Sequence, residues 1–173
     1  MNFFELYSDF KGRHCFNIHE VEFDNANIRS VAFSRWVHSG KLIKLYNGWY
    51  CFPDALQTED GLRVIASQIY KPSYVSFEYA LHLYGAIPEI IPTITCTTTA
   101  KTMSMDAGNR KLAYTSVKPS MFFGYSMQRT AGGTYLIVTP EKAIVDFLYI
   151  HNEYKHRRIW RNSVLMNTSW NMN

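Results

Sequence analysis

NIHEVEFDNANIRSVAFSRWVHSGKLIKLYNGWYCF, residues 17 to 52, holds two helical patterns followed at once by two β-rich runs. The runs meet at Asn47-Gly48. A tight hairpin turn of this kind needs φ > 0 at both central residues, which Asn and Gly adopt with little strain. A helix, a turn, a second helix and a two-stranded hairpin in this order predict a winged helix-turn-helix. The expected fold class is α+β, with this unit followed by a mixed α/β domain on a small, mostly antiparallel sheet. Pro53-Asp54 is the expected boundary, giving domains 1–53 and 54–173.

Within the stretch, a short helix is expected around His19 to Phe23. Asp24 or Asn25 is placed to cap a second one, Ala26 to Ser39, which Gly40 stops. At 100° per residue, Ile28, Ala32 and Trp36 fall on one packed side, widened by Phe33 and Val37. The opposite side collects Asn27, Ser30, Ser34, His38 and Lys41, with Arg35 on its flank and Lys44 on the first strand of the hairpin. Short hydroxyl and amide side chains with nearby cations suit a major groove, where they can bond base edges or phosphates. The same pattern also describes an amphipathic helix with a solvated polar face. Trp49 and Tyr50 read as anchors holding the hairpin to the helices.

Outward from this unit, Phe3, Leu6, Tyr7 and Phe10 fall at i, i+3, i+4 and i+7 on an opening helix, Asn2 to Lys11. Thr58 caps a helix from Glu59 to about Tyr70 with Leu62, Ile65, Ala66 and Ile69 inward. Ser76 caps another, Phe77 to Tyr84, ended by Gly85. Strands are expected at Thr93 to Thr99, Lys111 to Val117, Met121 to Gln128 and Thr134 to Thr139. Thr139 then caps a final helix with Pro140 at its first position, where a missing N–H costs least. Lys142 and Asp146, four residues apart, read as a surface ion pair on it.

The bulk numbers are compatible with a small regulator. The chain has 173 residues, 47% hydrophobic, with 12 Tyr and 11 Phe, so a packed core is within reach and disorder is not expected. A formal charge of +4 is too small to diagnose nucleic-acid binding by itself. Its distribution says more: Arg29, Arg35, Lys41 and Lys44 occur with no acid between them, and Lys155, Arg157, Arg158 and Arg161 form a second cluster. Cys15, Cys51 and Cys96 are odd in number and lack Cys-x-x-Cys spacing, which favours reduced thiols over disulfides or zinc. The start, MNFFELYSDF, has no basic signal-peptide region, and no apolar run approaches membrane-spanning length. A cytoplasmic protein without membrane contact is expected.

Residues arranged for catalysis are scarce. There is no phosphate-cradling glycine loop, paired-cysteine site or metalloprotease helix. Ser76 lacks the Gly-x-Ser-x-Gly context of a serine nucleophile. Glu141 and Asp146 are the suggestive acids, but five residues apart on a helix they point in different directions. No enzyme activity, cofactor or metal is expected.

Three motifs in order carry a family resemblance: Arg35 to Tyr50 (RWVHSGKLIKLYNGWY), Pro72 to Leu81 (PSYVSFEYAL) continuing to Glu89, and Thr139 to Asp146 (TPEKAIVD). Together they resemble the AbiEi family of antitoxins, the regulatory half of type IV toxin–antitoxin pairs in abortive-infection phage defence. The resemblance spans Phe16 to Ile150. It implies an N-terminal domain that binds double-stranded operator DNA and represses its own operon. Apart from the resemblance, a homodimer on DNA would call for a pair of inverted half-sites. The resemblance also implies a C-terminal domain that counteracts a nucleotidyltransferase toxin without a stable complex. On this resemblance Ser30, Ser34, Arg35, His38, Lys41 and Lys44 match the reading helix and wing, and Ser76, Glu141, Lys142 and Asp146 the antitoxin domain. Family members usually continue with further helices, so a short or truncated member is expected. Two other readings stand beside this one: a non-enzymatic interaction module reusing a winged helix, and a metal-dependent nuclease built on Glu141 and Asp146.

Overall fold

Capping and turn chemistry set the first elements. In the computed structural model, which describes residues 1–24 and 30–151 (Asp24 and Ser30 through their backbone alone), α1 spans Phe3–Phe10. Asn2 caps it in a reciprocal box: its Oδ1 accepts from the Glu5 N–H at 3.0 Å, while its own N–H donates to Glu5 Oε2 at 2.8 Å. Then come β1 (Phe16–Asn17), α2 (Ile18–Asp24), α3 (Ser30–His38), β2 (Ile43–Lys44) and β3 (Trp49–Cys51). The three strands form one antiparallel sheet in the order β1-β3-β2. At the hairpin Asn47 and Gly48 have φ of +50° and +81°, and the Trp49 N–H returns to the Tyr46 carbonyl at 3.0 Å. The Asn-Gly reading holds. Leu6, Phe10, Phe16, Val21, Phe33, Leu42, Tyr50 and Phe52 form the core of this region.

A short 3-10 turn, Pro53–Gln57, leads to α4 (Glu59–Ile69), capped by Thr58 Oγ1 accepting from the Gly61 N–H. Gly61 is required by contact: a Cβ there would lie 1.9 Å from the Ala55 carbonyl oxygen. The chain continues through β4 (Ser73–Val75), α5 (Phe77–Leu83), β5 (Thr93–Thr98), β6 (Met103–Ala107), β7 (Arg110–Ser116), a 3-10 turn (Pro119–Met121), β8 (Tyr125–Thr130), β9 (Gly133–Val138) and α6 (Pro140–Ile150). The sheet runs β6-β7-β5-β4-β9-β8. Its pairings are β6/β7, β5/β4 and β9/β8 antiparallel, and β7/β5 and β4/β9 parallel.

Successive strand residues face opposite sides. Val75 and Ile137 therefore join Leu62, Ile65, Ala66 and Ile69 of α4 in the larger core, while Tyr74 and Val138 join Ala143 of α6 in a smaller one. Cys15 and Cys51 belong to that larger core, and Ile43, Leu45, Tyr46 and Trp49 pack against it. The three-stranded sheet thus turns one side to its own helices and the other to the α4 side of the large sheet. No helix among the described residues is long and apolar enough to cross a membrane.

The molecule is mixed α and β, with six α-helices among the described residues. Several expectations need correction. The sheet is larger than expected: three of its five pairings are antiparallel, but two are parallel, and one of these joins β4 to β9, distant in sequence. The strand β6 was not anticipated; its register turns Ala107 into the core and Ser104 and Asp106 outward. The strand placed at Met121 to Gln128 begins at Tyr125, because Pro119 starts a 3-10 turn and Gly124 adopts φ +73°. Trp49 packs on the α4 side rather than on the helices of its own region; Tyr50 does pack on α3, its ring 4.9 Å from Phe33.

Candidate nucleic-acid interface and a buried Lys–Asp centre

Helix α3 is held by one side. Phe33 is buried against Tyr50 and meets Trp36 edge-on with centroids 5.4 Å apart. The helix stops where Gly40 takes φ +70°, and the Lys41 and Leu42 N–H groups both return to the Trp36 carbonyl, at 2.9 and 3.2 Å. Buried Leu42 then anchors the chain between two lysines. Ser34, Arg35, His38, Lys41 and Lys44 are all exposed. Ser34 and His38 stand one helical turn apart with Arg35 beside them, and Lys41 and Lys44 follow on the turn and on β2. Lys41 Nζ lies 5.1 Å from the Phe3 ring centroid, a cation–π contact that holds it beside α1. Asn27 falls outside the described residues, as does the side chain of Ser30 and the cluster Lys155, Arg157, Arg158 and Arg161.

Two acids of the preceding helix, Glu20 and Glu22, are engaged elsewhere. Glu20 accepts from Arg13 Nη1 at 2.8 Å, and Glu22 lies 3.3 Å from His19 Nδ1. The α3–hairpin surface therefore offers a guanidinium, two ammonium groups, an imidazole and a hydroxyl. That set recognises oxyanions and base-edge acceptors.

The other motif residues assemble inside the second region. Asp146 is fully buried, and its carboxylate accepts from Lys142 Nζ, Ser76 Oγ at 2.8 Å, Tyr74 Oη at 3.0 Å and, more weakly, Thr97 Oγ1 at 3.5 Å. Lys142 is 5% exposed; its Nζ also donates to the Met121 carbonyl at 2.9 Å and lies 4.5 Å from the Phe123 ring centroid. The surface ion pair is thus a buried one. The helical spacing was read correctly, but the face was not, because Ala143 and Asp146 turn inward beneath the Pro119–Met121 turn.

Ser76 needs a second correction. It occupies the position before α5, yet its hydroxyl makes no capping bond and points to Asp146 instead. The backbone there is bent: Phe77 has φ +57°, and Thr95 clamps the bend by donating to the Ser76 carbonyl at 2.7 Å and accepting from the Tyr79 N–H at 3.2 Å. Burial first, and the Asp146 charge second, push the Tyr74 phenol above its ordinary value, so it stays a donor. With four donors around one carboxylate and almost no exposure, this centre ties β4, β5, α6 and the Pro119–Met121 turn together.

Glu141 lies exposed on a different side of α6 from buried Asp146, so the two acids do not converge on one ion. Among the described residues no group of three or more His, Cys, Asp or Glu side chains could hold a metal. Cys15, Cys51 and Cys96 are free and buried, and burial pushes Cys15 and Cys51 up to about 12, which leaves them as neutral, unreactive thiols. Tyr74 and Thr97 were not anticipated as partners of Asp146. The alternation of β5 put Thr97 on a definite face, but nothing in the sequence said which helix that face meets.

No protein-family model matches the chain, and no curated protein matches it.

Proposed function

We propose that this chain is a DNA-binding transcriptional regulator whose reading element is α3 with the hairpin behind it, in a winged helix-turn-helix arrangement. The order α1, β1, α2, α3, β2, β3 suits that architecture. The observation that carries the reading is the exposure of Ser34, Arg35, His38, Lys41 and Lys44 along one helix and its adjoining strand, above the side buried by Phe33 and Leu42. Such a helix enters a major groove, where Arg35 and the hydroxyls meet base edges and the lysines meet phosphates. A metal-dependent nuclease gains nothing from the geometry, since Asp146 is already saturated by Lys142 and three hydroxyls.

The test is fluorescence anisotropy on a labelled duplex from the region upstream of the gene. If Lys41 and Lys44 each neutralise one phosphate, affinity per protomer falls with salt at a log–log slope of about −1.8, or roughly 12-fold between about 50 and 200 mM. A pure interaction module would show only weak retention, equal on the upstream and a scrambled duplex.

The resemblance of the three motifs supports an antitoxin role in the same protein: autorepression of its operon and opposition to a nucleotidyltransferase toxin. Co-expression with a nucleotidyltransferase encoded immediately downstream is expected to relieve the growth arrest that the toxin causes alone. Arrest that persists with the chain present removes this role and leaves the DNA-binding proposal to stand or fall on the anisotropy.

A further inference from the structure

Strand β8 belongs to the large sheet but is covered by little of it. Five of its six residues are exposed, and it pairs along its whole length with β9 alone, from Tyr125↔Val138 to Thr130↔Gly133. Among the described residues it is a sheet edge. The opposite edge, β6, is different: Met105 packs against the core and Ala107 is buried. On β8 the corresponding side chains are left open on one side: Tyr125, its ring stacked on Tyr74 at 4.8 Å, is still 39% exposed and Met127 60%, continued by Phe123 at 52%. Edge strands normally carry a proline, a bulge or an inward charge that prevents pairing. Tyr-Ser-Met-Gln-Arg-Thr has none of these.

The ladder fixes which backbone groups are open. The Thr139 N–H donates to the Gly124 carbonyl at 2.8 Å, in line with the β8/β9 register. Antiparallel pairs alternate between bonded and non-bonded. Residues 126, 128 and 130 therefore bond to β9, and Tyr125, Met127 and Arg129 direct their N–H and C=O groups away from the sheet. These three residues also share the face of the exposed apolar stripe.

We propose that β8 is a self-association surface whose occupant is β8 of a second copy of this chain, antiparallel and centred on Met127. Only outward-directed residues can bond across the new edge, so Met127 meets Met127 of the second copy and Tyr125 meets Arg129 in both directions. The register is self-complementary. Each guanidinium lies beside a tyrosine ring, a favourable cross-strand pair. The two Arg129 groups stand four residues apart along the strands, roughly 14 Å, beyond the ~8 Å screening length at physiological ionic strength. The contact is isologous and closes on itself, joining the two sheets across a two-fold axis. It does not depend on the DNA-binding reading.

Sedimentation velocity on the full chain without DNA tests this. Dimer is expected to replace monomer between about 1 and 100 µM, the range of a modest interface. Met127→Pro removes an outward N–H at the centre and no bond to β9, so it is expected to raise the dissociation constant about tenfold or more, with the melting temperature unchanged at concentrations below about 1 µM where the parent is also monomeric. Met127→Asp sets two carboxylates opposite each other and is expected to do the same by repulsion. Hydrogen exchange at the amides of Tyr125, Met127 and Arg129 is expected to slow with concentration in the parent and not in either variant. A chain that stays monomeric throughout, including one whose own residues 152–173 protect these amides, overturns the proposal. So does a dimer that both variants leave intact.

Discussion

Lys and Ser side chains occur in two places that do opposite work. On α3 and β2 they are exposed, and the apolar residues beneath them, Phe33, Leu42 and Tyr50, make the structural contacts. Around Asp146 the polar residues are themselves the structural contacts, hidden under Phe123 and the Pro119–Met121 turn. Exposed charge gains little by pairing within the chain and is available to a partner. Buried charge has already lost its water and is held by its neighbours, so removing one member harms the fold. Two sets of motif residues that look alike in the sequence thus separate into a surface set and a set that supports the fold.

That separation can be broken in several ways. The largest effect is expected from Asp146→Ala, which strands a buried ammonium and three hydroxyls: about 3–5 kcal/mol of stability lost in urea denaturation. DNA affinity of the fraction that remains folded is expected to be unchanged, and a specific loss of binding would join the two regions functionally. Ser76→Ala removes one donor to the charged carboxylate and is expected to cost about 1.5–3 kcal/mol. Combined with Asp146→Ala it is expected to cost less than the two losses added, because both act on one network.

Smaller still, Gly48→Ala forces a side chain onto a φ of +81° with Ile18 Cγ2 3.2 Å from the new Cβ. It is expected to cost about 1–2 kcal/mol and, unlike the first two, to weaken DNA binding by distorting the hairpin. The smallest effect concerns Glu59. Burial works against its charge, but hydrogen bonds from Tyr79 at 2.6 Å and Arg110 at 2.8 Å overcome this and hold its carboxyl below the ordinary 4.5. A folded-state value below the unfolded one stabilises in full above 4.5 and is lost as the pH falls through the folded value. The melting-temperature gap between the parent and Glu59→Gln should therefore shrink on acidification; a gap that widens would show that the sign is wrong.

Local rules made some of this legible. Asn47-Gly48, the caps at Thr58 and Thr139, the inward stripe of α4 and the exposed side of α3 follow from contacts within a few residues, and the sequence carries those directly. Ser76, Tyr74, Thr97 and Asp146 are up to 72 residues apart in the chain and meet because β4 lies between β5 and β9. Parallel pairing leaves no tight-turn signal, so the order of the strands was hidden, and with it the face of α6 that is covered. Lys142 and Asp146 have the spacing of a surface pair and the setting of a core. Only the strand order tells them apart. Strand β6 was obscured for another reason: Met103-Ser-Met-Asp-Ala alternates but holds no β-branched or aromatic residue.

The central claim is that the exposed α3–hairpin surface reads DNA. A gel shift with upstream duplex, comparing the parent chain with Arg35→Ala/Lys44→Ala at matched salt, tests it most directly. The expected result is a retained band for the parent and none for the double variant, with melting temperatures that agree. Equal retention of both proteins, or no retention of the parent at low salt, would contradict it.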